Sequence, residues 1–245
     1  MGHLPQLSSP ATLGDQAYAA IREAVVTGTL ERGEKITERG LAESLGISAT
    51  PVREALRRLE QDRLVERTGP RSVRITQFDK DELREFTMIE DVLRALSARL
   101  AAEKSTAAQR REMSSCLDEA DALRNELHDA APGTDSERDL VIGIQQLMSR
   151  FHTLVDEAGG NATLLQMLRT VDAFGPEGRR NSALSQVRNE QWKVVDERYR
   201  QHRAIYEAIA AGHGDKAEEL MRAHSHTSNT SRIETRFAAR CDAEH

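Results

Sequence analysis

The sequence predicts a mainly α protein in two parts, an N-terminal unit of three helices with a β-hairpin and a C-terminal antiparallel all-α helical bundle. Three observations carry this. Apolar residues recur at helical spacing in long stretches after Phe78. Strict alternation is confined to the residues flanking Gly69-Pro70. Aromatics make up only 4% of the 245 residues, so the cores must be aliphatic. Hydrophobic residues at 38% and charged residues at 30% form an ordinary globular balance. No apolar run approaches the roughly 18 residues of a membrane span, and Met1–Pro10 has no secretory pattern, so a cytoplasmic protein is expected. Two cysteines, Cys116 and Cys241, are too few for a disulfide framework.

The first ten residues read as a flexible tail. Tyr18, Ile21 and Val25 mark a first helix that Gly28 stops. Leu30–Ile36 turns into a short extended stretch. Thr37 is a candidate N-cap for a helix carrying Leu41, Ala42 and Leu45, which Gly46 breaks. Ser48 can cap the next helix, with Pro51 tolerated in its first turn. There Val52, Ala55, Leu56 and Leu59 make one buried stripe, and Arg53, Arg57 and Arg58 lie off it. Leu64–Arg67 and Ser72–Thr76 around the Gly-Pro turn read as a two-stranded wing. Short helix, Gly turn, Arg-bearing helix and wing together meet the requirement of a winged helix-turn-helix over residues 11–77: one face for its own core, one cationic face for a major groove.

Residues 78–233 then read as the bundle. Leu83, Phe86, Ile89, Leu93, Leu96 and Leu100 form its first inward stripe. Met113, Leu117, Ala120, Leu123 and Leu127 form the second. Asp129–Glu137 is a loop. Leu140, Ile144, Leu147, Phe151 and Leu154 mark a third helix, and Leu164, Leu165 and Leu168 a fourth. Asp172–Asn189 reads as a polar loop. Trp192, Val195, Tyr199, His202 and Ile209 form a fifth helix. Asp215 caps a sixth, with Ala217, Leu220, Met221 and His224 inward. Residues 234–245 read as a fraying tail.

The net charge of −6 is uneven: residues 11–77 carry +1, Ser48–Thr76 alone carry +3, and the rest of the chain is acidic. A polyanion is therefore met by the N-terminal unit. Three separate bundle helices each turn one imidazole inward: His152, His202 and His224. A buried His needs a partner, and three converging neutral imidazoles suit Zn, Ni or a similar divalent ion. Each alone also fits a hydrogen-bonded core residue.

The run Leu41-Ala-Glu-Ser-Leu-Gly-Ile-Ser-Ala-Thr-Pro-Val-Arg-Glu-Ala-Leu-Arg-Arg-Leu-Glu60 resembles the DNA-binding helices of the GntR family of bacterial transcription regulators. Gly28-Thr-Leu-Glu-Arg-Gly33 is similar to that family's turn after the first helix. Phe151-His152, Ala158-Gly-Gly-Asn161, His202–Ile209 and Met221-Arg-Ala-His224 resemble the FCD domain of its FadR subgroup, and the likeness spans about nine-tenths of the chain. The resemblance implies that Arg39, Ser48, Thr50 and Arg53 contact DNA, with Gly69 and Arg71 on the wing near a minor groove. Arg57, four residues after Arg53, shares its face and joins that set. It also assigns His152, His202 and His224 as metal ligands. Three departures qualify it. Ala49 stands where the family usually has a base-reading Arg. Met148 replaces the Asp usual one turn before the first His, which predicts weak or effector-assisted metal binding. Glu90 and Arg94 reverse the family's Arg–Glu order, and Arg94 is a candidate for holding an effector carboxylate.

The expected function is a homodimeric, ligand-responsive regulator, a repressor at a palindromic double-stranded DNA operator in the bacterial nucleoid, with a small organic acid as effector. Two alternatives stand beside it: a metal-dependent hydrolase using the three histidines, for which only Glu157 and Glu197 are nearby in sequence as a base, and a constitutive DNA-binding protein with a structural bundle. An enzyme is not expected.

Overall fold

A computed structural model describes residues 11–131, 133–172 and 192–243. The chain divides into two compact units after Gln77, and each is described by itself.

The first unit begins with helix α1, Leu13–Thr27. Thr12 and Asp15 close a capping box: the Asp15 amide donates to the Thr12 hydroxyl (3.1 Å) and the Thr12 amide to the Asp15 carboxylate (3.0 Å). Strand β1 is Lys35–Thr37. Thr37 then caps α2, Glu38–Leu45, by accepting from the Gly40 amide at 3.1 Å. Gly46 ends α2 in the left-handed region, φ 65°, where a Cβ would crowd the following carbonyl. Helix α3 is Ala49–Gln61. Val52, Ala55, Leu56 and Leu59 are all fully buried, and α3 packs on α1, whose Ile21 and Val25 face inward. Arg58 fastens the pair, bonding Asp15 at 2.6 Å and lying 4.3 Å above the Tyr18 ring.

Strands β2, Val65–Gly69, and β3, Ser72–Ile75, form the hairpin. The sheet differs from the two-stranded wing expected: β1 pairs antiparallel with β3, placing Ile36 opposite Val73, so the order is β1-β3-β2. A three-residue strand carries almost no periodicity, and its edge is recruited by a partner about 37 residues away. Ser48 also differs. Its backbone occupies the N-cap position of α3, φ −73° and ψ 162°, but its hydroxyl does not bond the first-turn amides.

The second unit contains α4 Lys80–Lys104, α5 Ala107–Asp129, α6 Asp135–Ala158, α7 Ala162–Asp172, α8 Trp192–Ala210 and α9 Gly214–Ala243. Its core gathers Met113, Leu117, Phe151, Val155, Ile205, Ile209, Ala217 and Met221. The free thiol of Cys116 is buried there and donates to the Leu147 carbonyl at 3.0 Å. The loop expected at Asp129–Glu137 is shorter, because Thr134 caps α6 through the Glu137 amide. The loop expected at Asp172–Asn189 lies outside the described residues from 173 onward. Helix α9 runs on to Ala243 where a tail from residue 234 was expected, and it begins at Gly214, so Asp215 falls in its first turn and not at its cap.

Helix α4 turns only part of its expected hydrophobic stripe inward. Leu83 is buried, but Ile89 is 54% exposed and Leu96 38% exposed, with Met88 and Val92 beside them on the outer face. The inner face is polar and small: Thr87, Glu90, Asp91, Arg94, Ser97 and four alanines. Small side chains let α4 lie close against α9, and the polar ones find partners across the seam.

Candidate functional sites: a cationic helix face and a histidine cluster

The N-terminal half of α3, the turn before it and the tip of the hairpin border one open groove of about 520 Å³. The Glu38 amide donates to the Arg71 carbonyl at 3.0 Å, tying the hairpin tip to the start of α2. Arg39, Arg53 and Arg71 all line the groove. Ser48, Thr50 and Arg57 are exposed on the same helix, and Gly69 is half-buried at the end of β2. Of the residues expected at a DNA-facing surface, all but the half-buried Gly69 are exposed. Two of the arginines have partners in the protein. Arg39 bonds Glu43 at 2.7 Å in a fully solvated pair, a contact of little energy. Arg53 bonds Glu38, whose side chain is buried, at 3.0 Å. The pairing partner of Arg53 is thus a residue on α2, and sequence periodicity placed Glu38 on no face in particular.

In the second unit, α6, α8 and α9 bring His152, His202 and His224 together. One ring nitrogen from each lies within 4.8 Å of the others. Nε2 of His202 is 3.3 Å from Nε2 of His152. Nitrogens about 2.1 Å from a tetrahedral zinc stand about 3.4 Å apart, so this spacing fits a shared divalent ion. The outer nitrogens are arranged to match. Nδ1 of His202 lies 2.7 Å from the Arg198 carbonyl, and Nδ1 of His224 lies 3.0 Å from the Gln201 side-chain oxygen. Donation from each Nδ1 makes Nε2 the unprotonated nitrogen, the form in which an imidazole ligates a metal. Burial lowers the pKa of His202 to about 4, which keeps it in the neutral form a ligand requires. Phe151 meets His202 edge-on at 5.5 Å and walls the cluster from the core. Met148 is buried on α6 and adds no hard donor.

Arg94 is not an open cation. It is 5% exposed and pairs with Asp156 on α6 and, at 3.8 Å, with Glu90. The Ser97 hydroxyl donates to the other oxygen of Asp156 at 2.7 Å. From α9, Arg232 donates to Glu90 at 3.1 Å and Asn229 to Asp91 at 2.7 Å. Both Glu90 and Arg94 thus face inward, in a network that joins three helices. Burial raises the pKa of Asp91 against the opposing bonds from Asn229 and His226. Asp156, Asn229, Arg232, Gln201 and Arg198 were not identified from sequence. The one signal available is Asp156, a carboxylate four residues after His152 and so on the same helix face, on an otherwise apolar stripe.

The candidate bases for hydrolysis do not join the histidines. Glu157 is exposed, and Glu197 is exposed and paired with Arg200 at 3.0 Å. His226 is not a ligand of the cluster; it bonds Asp91 at 3.2 Å.

Residues 13–75 match the family described as bacterial regulatory proteins, gntR family, and residues 87–227 match the FCD domain. The chain is similar to YdhC, an HTH-type transcriptional regulator of Bacillus subtilis (strain 168): 25% identical over 219 residues, 89% of this chain and 90% of that protein. It is 28% identical over 213 residues, 87% of this chain and 85% of the other, to the Paenarthrobacter nicotinovorans protein named "Probable D-xylose utilization operon transcriptional repressor". Among solved structures, E. coli McbR/YncC shares the fold with a TM-score of 0.71 at 18% identity, over 93% of this chain and all of that one.

Proposed function

The chain belongs to the gntR family of bacterial regulatory proteins and carries an FCD domain, and on that premise we propose a ligand-responsive repressor that binds a palindromic DNA operator as a homodimer. The observation that carries the reading is α3, whose apolar side is fully buried while Arg53 lines an open groove and Arg57 is exposed one turn on. Ser48, Thr50 and the uncapped first-turn amides take phosphate. Arg53 and Arg57 meet the major groove, with Arg39 beside them, and Gly69 and Arg71 bring the wing to a minor groove. The name of the P. nicotinovorans relative supports repression as the sign of control.

In the bundle, His152, His202 and His224 would hold a divalent ion such as Zn or Ni. Bound there, such an ion would supply a positive centre suited to an acidic effector. Met148 contributes no charge, so loading is weak unless the acid assists. The Arg198 side chain next to His202 adds positive potential that favours a small organic acid. Helix α4 follows the last strand of the DNA-binding unit by only a few residues, which makes it the route by which effector and operator affinities are coupled. The dimer uses the exposed apolar face of α4. Such a protein works in the bacterial cytoplasm, at the nucleoid.

Thermal melting with small organic acids, with and without zinc, tests the proposal. A melting-temperature rise that needs both components, together with weaker binding to a selected duplex, is expected. Metal analysis of untagged protein and of His152→Ala decides the ion: equal and negligible metal in both removes it.

A further inference from the structure

Two buried methionines are tied to the histidine cluster by their place in the helices. Met148 precedes His152 by four residues on α6, and Met221 precedes His224 by three on α9. At these spacings two side chains of one helix are neighbours on the same face, and side chains four apart can share one metal ion. Helical side chains lean toward the N-terminus, so each imidazole is carried back over the turn that holds its methionine. Met148 is 9% exposed and Met221 is fully buried, both in the bundle core.

The donor set is neutral. Among the described residues, the cluster gathers three imidazoles and neither a carboxylate nor a thiol. Asp156, the carboxylate on that face of α6, bonds Arg94 and Ser97 instead. The Cys116 thiol is spent on the Leu147 carbonyl. His202 and His224 are buried, and the charge of Arg198 bears on His202. The cost of taking an ion out of water rises steeply with its charge, and no anion is at hand here to offset it. A singly charged ion is therefore favoured over a doubly charged one. Thioether sulfur is a soft donor that suits copper(I), and imidazole suits copper as well.

We infer that the histidine cluster is a copper(I) site, with a thioether from the Met148–Met221 pair as the donor beside the three imidazoles. The inference rests on the metal reading of the cluster and specifies which ion it selects, copper(I) ahead of the divalent ions.

The test uses the untagged full chain, titrated without oxygen with copper(I) against bicinchoninate and, separately, with zinc against a chromophoric zinc chelator. Met148→Leu, Met221→Leu and the double variant keep the core volume, and circular dichroism checks their fold. Copper(I) is expected to bind more tightly than zinc. The double variant weakens copper(I) binding about tenfold or more and leaves zinc binding within about twofold. Copper X-ray absorption finds a sulfur neighbour in the unaltered protein, lost in the double variant and kept in Cys116→Ala. Tighter binding of zinc, unchanged copper(I) affinity in the folded double variant, or a copper complex of the unaltered protein without a sulfur neighbour overturns the copper site. The last of these outcomes needs no variant to fold. Negligible binding of both ions by the unaltered protein overturns the metal reading of the cluster instead.

Discussion

At the scale of residues, burial decides what the histidines and carboxylates can do. Burial is the main cause of the depressed pKa of His202, about 4, and the charge of Arg198 adds to it, opposed by the bond to the Arg198 carbonyl. A base whose folded pKa lies below its unfolded value of about 6.5 stabilises the fold above that pH, and the contribution is lost as pH falls toward 4. Metal-free protein is therefore expected to lose about 3 kcal/mol between pH 7.5 and pH 4 from this group. Urea unfolding across that range measures it, and His202→Gln flattens the profile. The inward stripe carrying His202 was legible in the sequence. Its hydrogen bond to the carbonyl of Arg198 follows from helix geometry, four residues back. The depth of burial required the packed bundle.

At the scale of elements, α3 and α4 present opposite cases. The four apolar residues of α3 fall on one face with no competing stripe, so its burial followed from periodicity alone. Helix α4 carries two candidate faces. Hydrophobicity points to Ile89 and Leu96, yet the face turned inward holds Glu90, Asp91 and Arg94. Those charges are tolerable only because Asp156, Asn229 and Arg232 come from other helices to meet them. Arg94→Ala leaves two carboxylates buried without their shared cation, and it is expected to destabilise the bundle by about 3–5 kcal/mol. Arg94→Ala combined with Asp156→Ala should recover part of that loss. Chemical denaturation of the single and double variants measures the coupling; strict additivity would mean the pair contributes nothing.

At the scale of the whole molecule, the outer face of α4 bears on assembly. Met88, Ile89 and Val92 are each at least half exposed, and with Leu96 they form an apolar row that a second copy would cover. Light scattering should find a dimer, and Val92→Glu should shift it to monomer with the α-helical content retained. The same substitution should weaken binding to a palindromic duplex while leaving a single half-site nearly unaffected, because two linked heads gain by effective concentration. A monomeric unaltered protein would remove α4 as the dimer face. Among the described residues no helix is long and apolar enough to cross a membrane, so an apolar row of this kind is not a spanning segment.

Local events are legible from the residues alone: the cap at Thr37 and the stops at Gly28 and Gly46, the buried stripe of α3, and the three histidines on inward stripes of separate helices. These depend on residues within a turn or two of one another, where spacing alone sets the face. Packing of distant segments sets which way α4 turns, joins β1 to the hairpin, and brings Glu38 to Arg53 and Asp156 to Arg94. Each of those depends on partners 15 to 142 positions apart in the chain. The free energy of burying a charge is set by whichever opposite charge the packed fold delivers, and helical periodicity carries no information about that delivery.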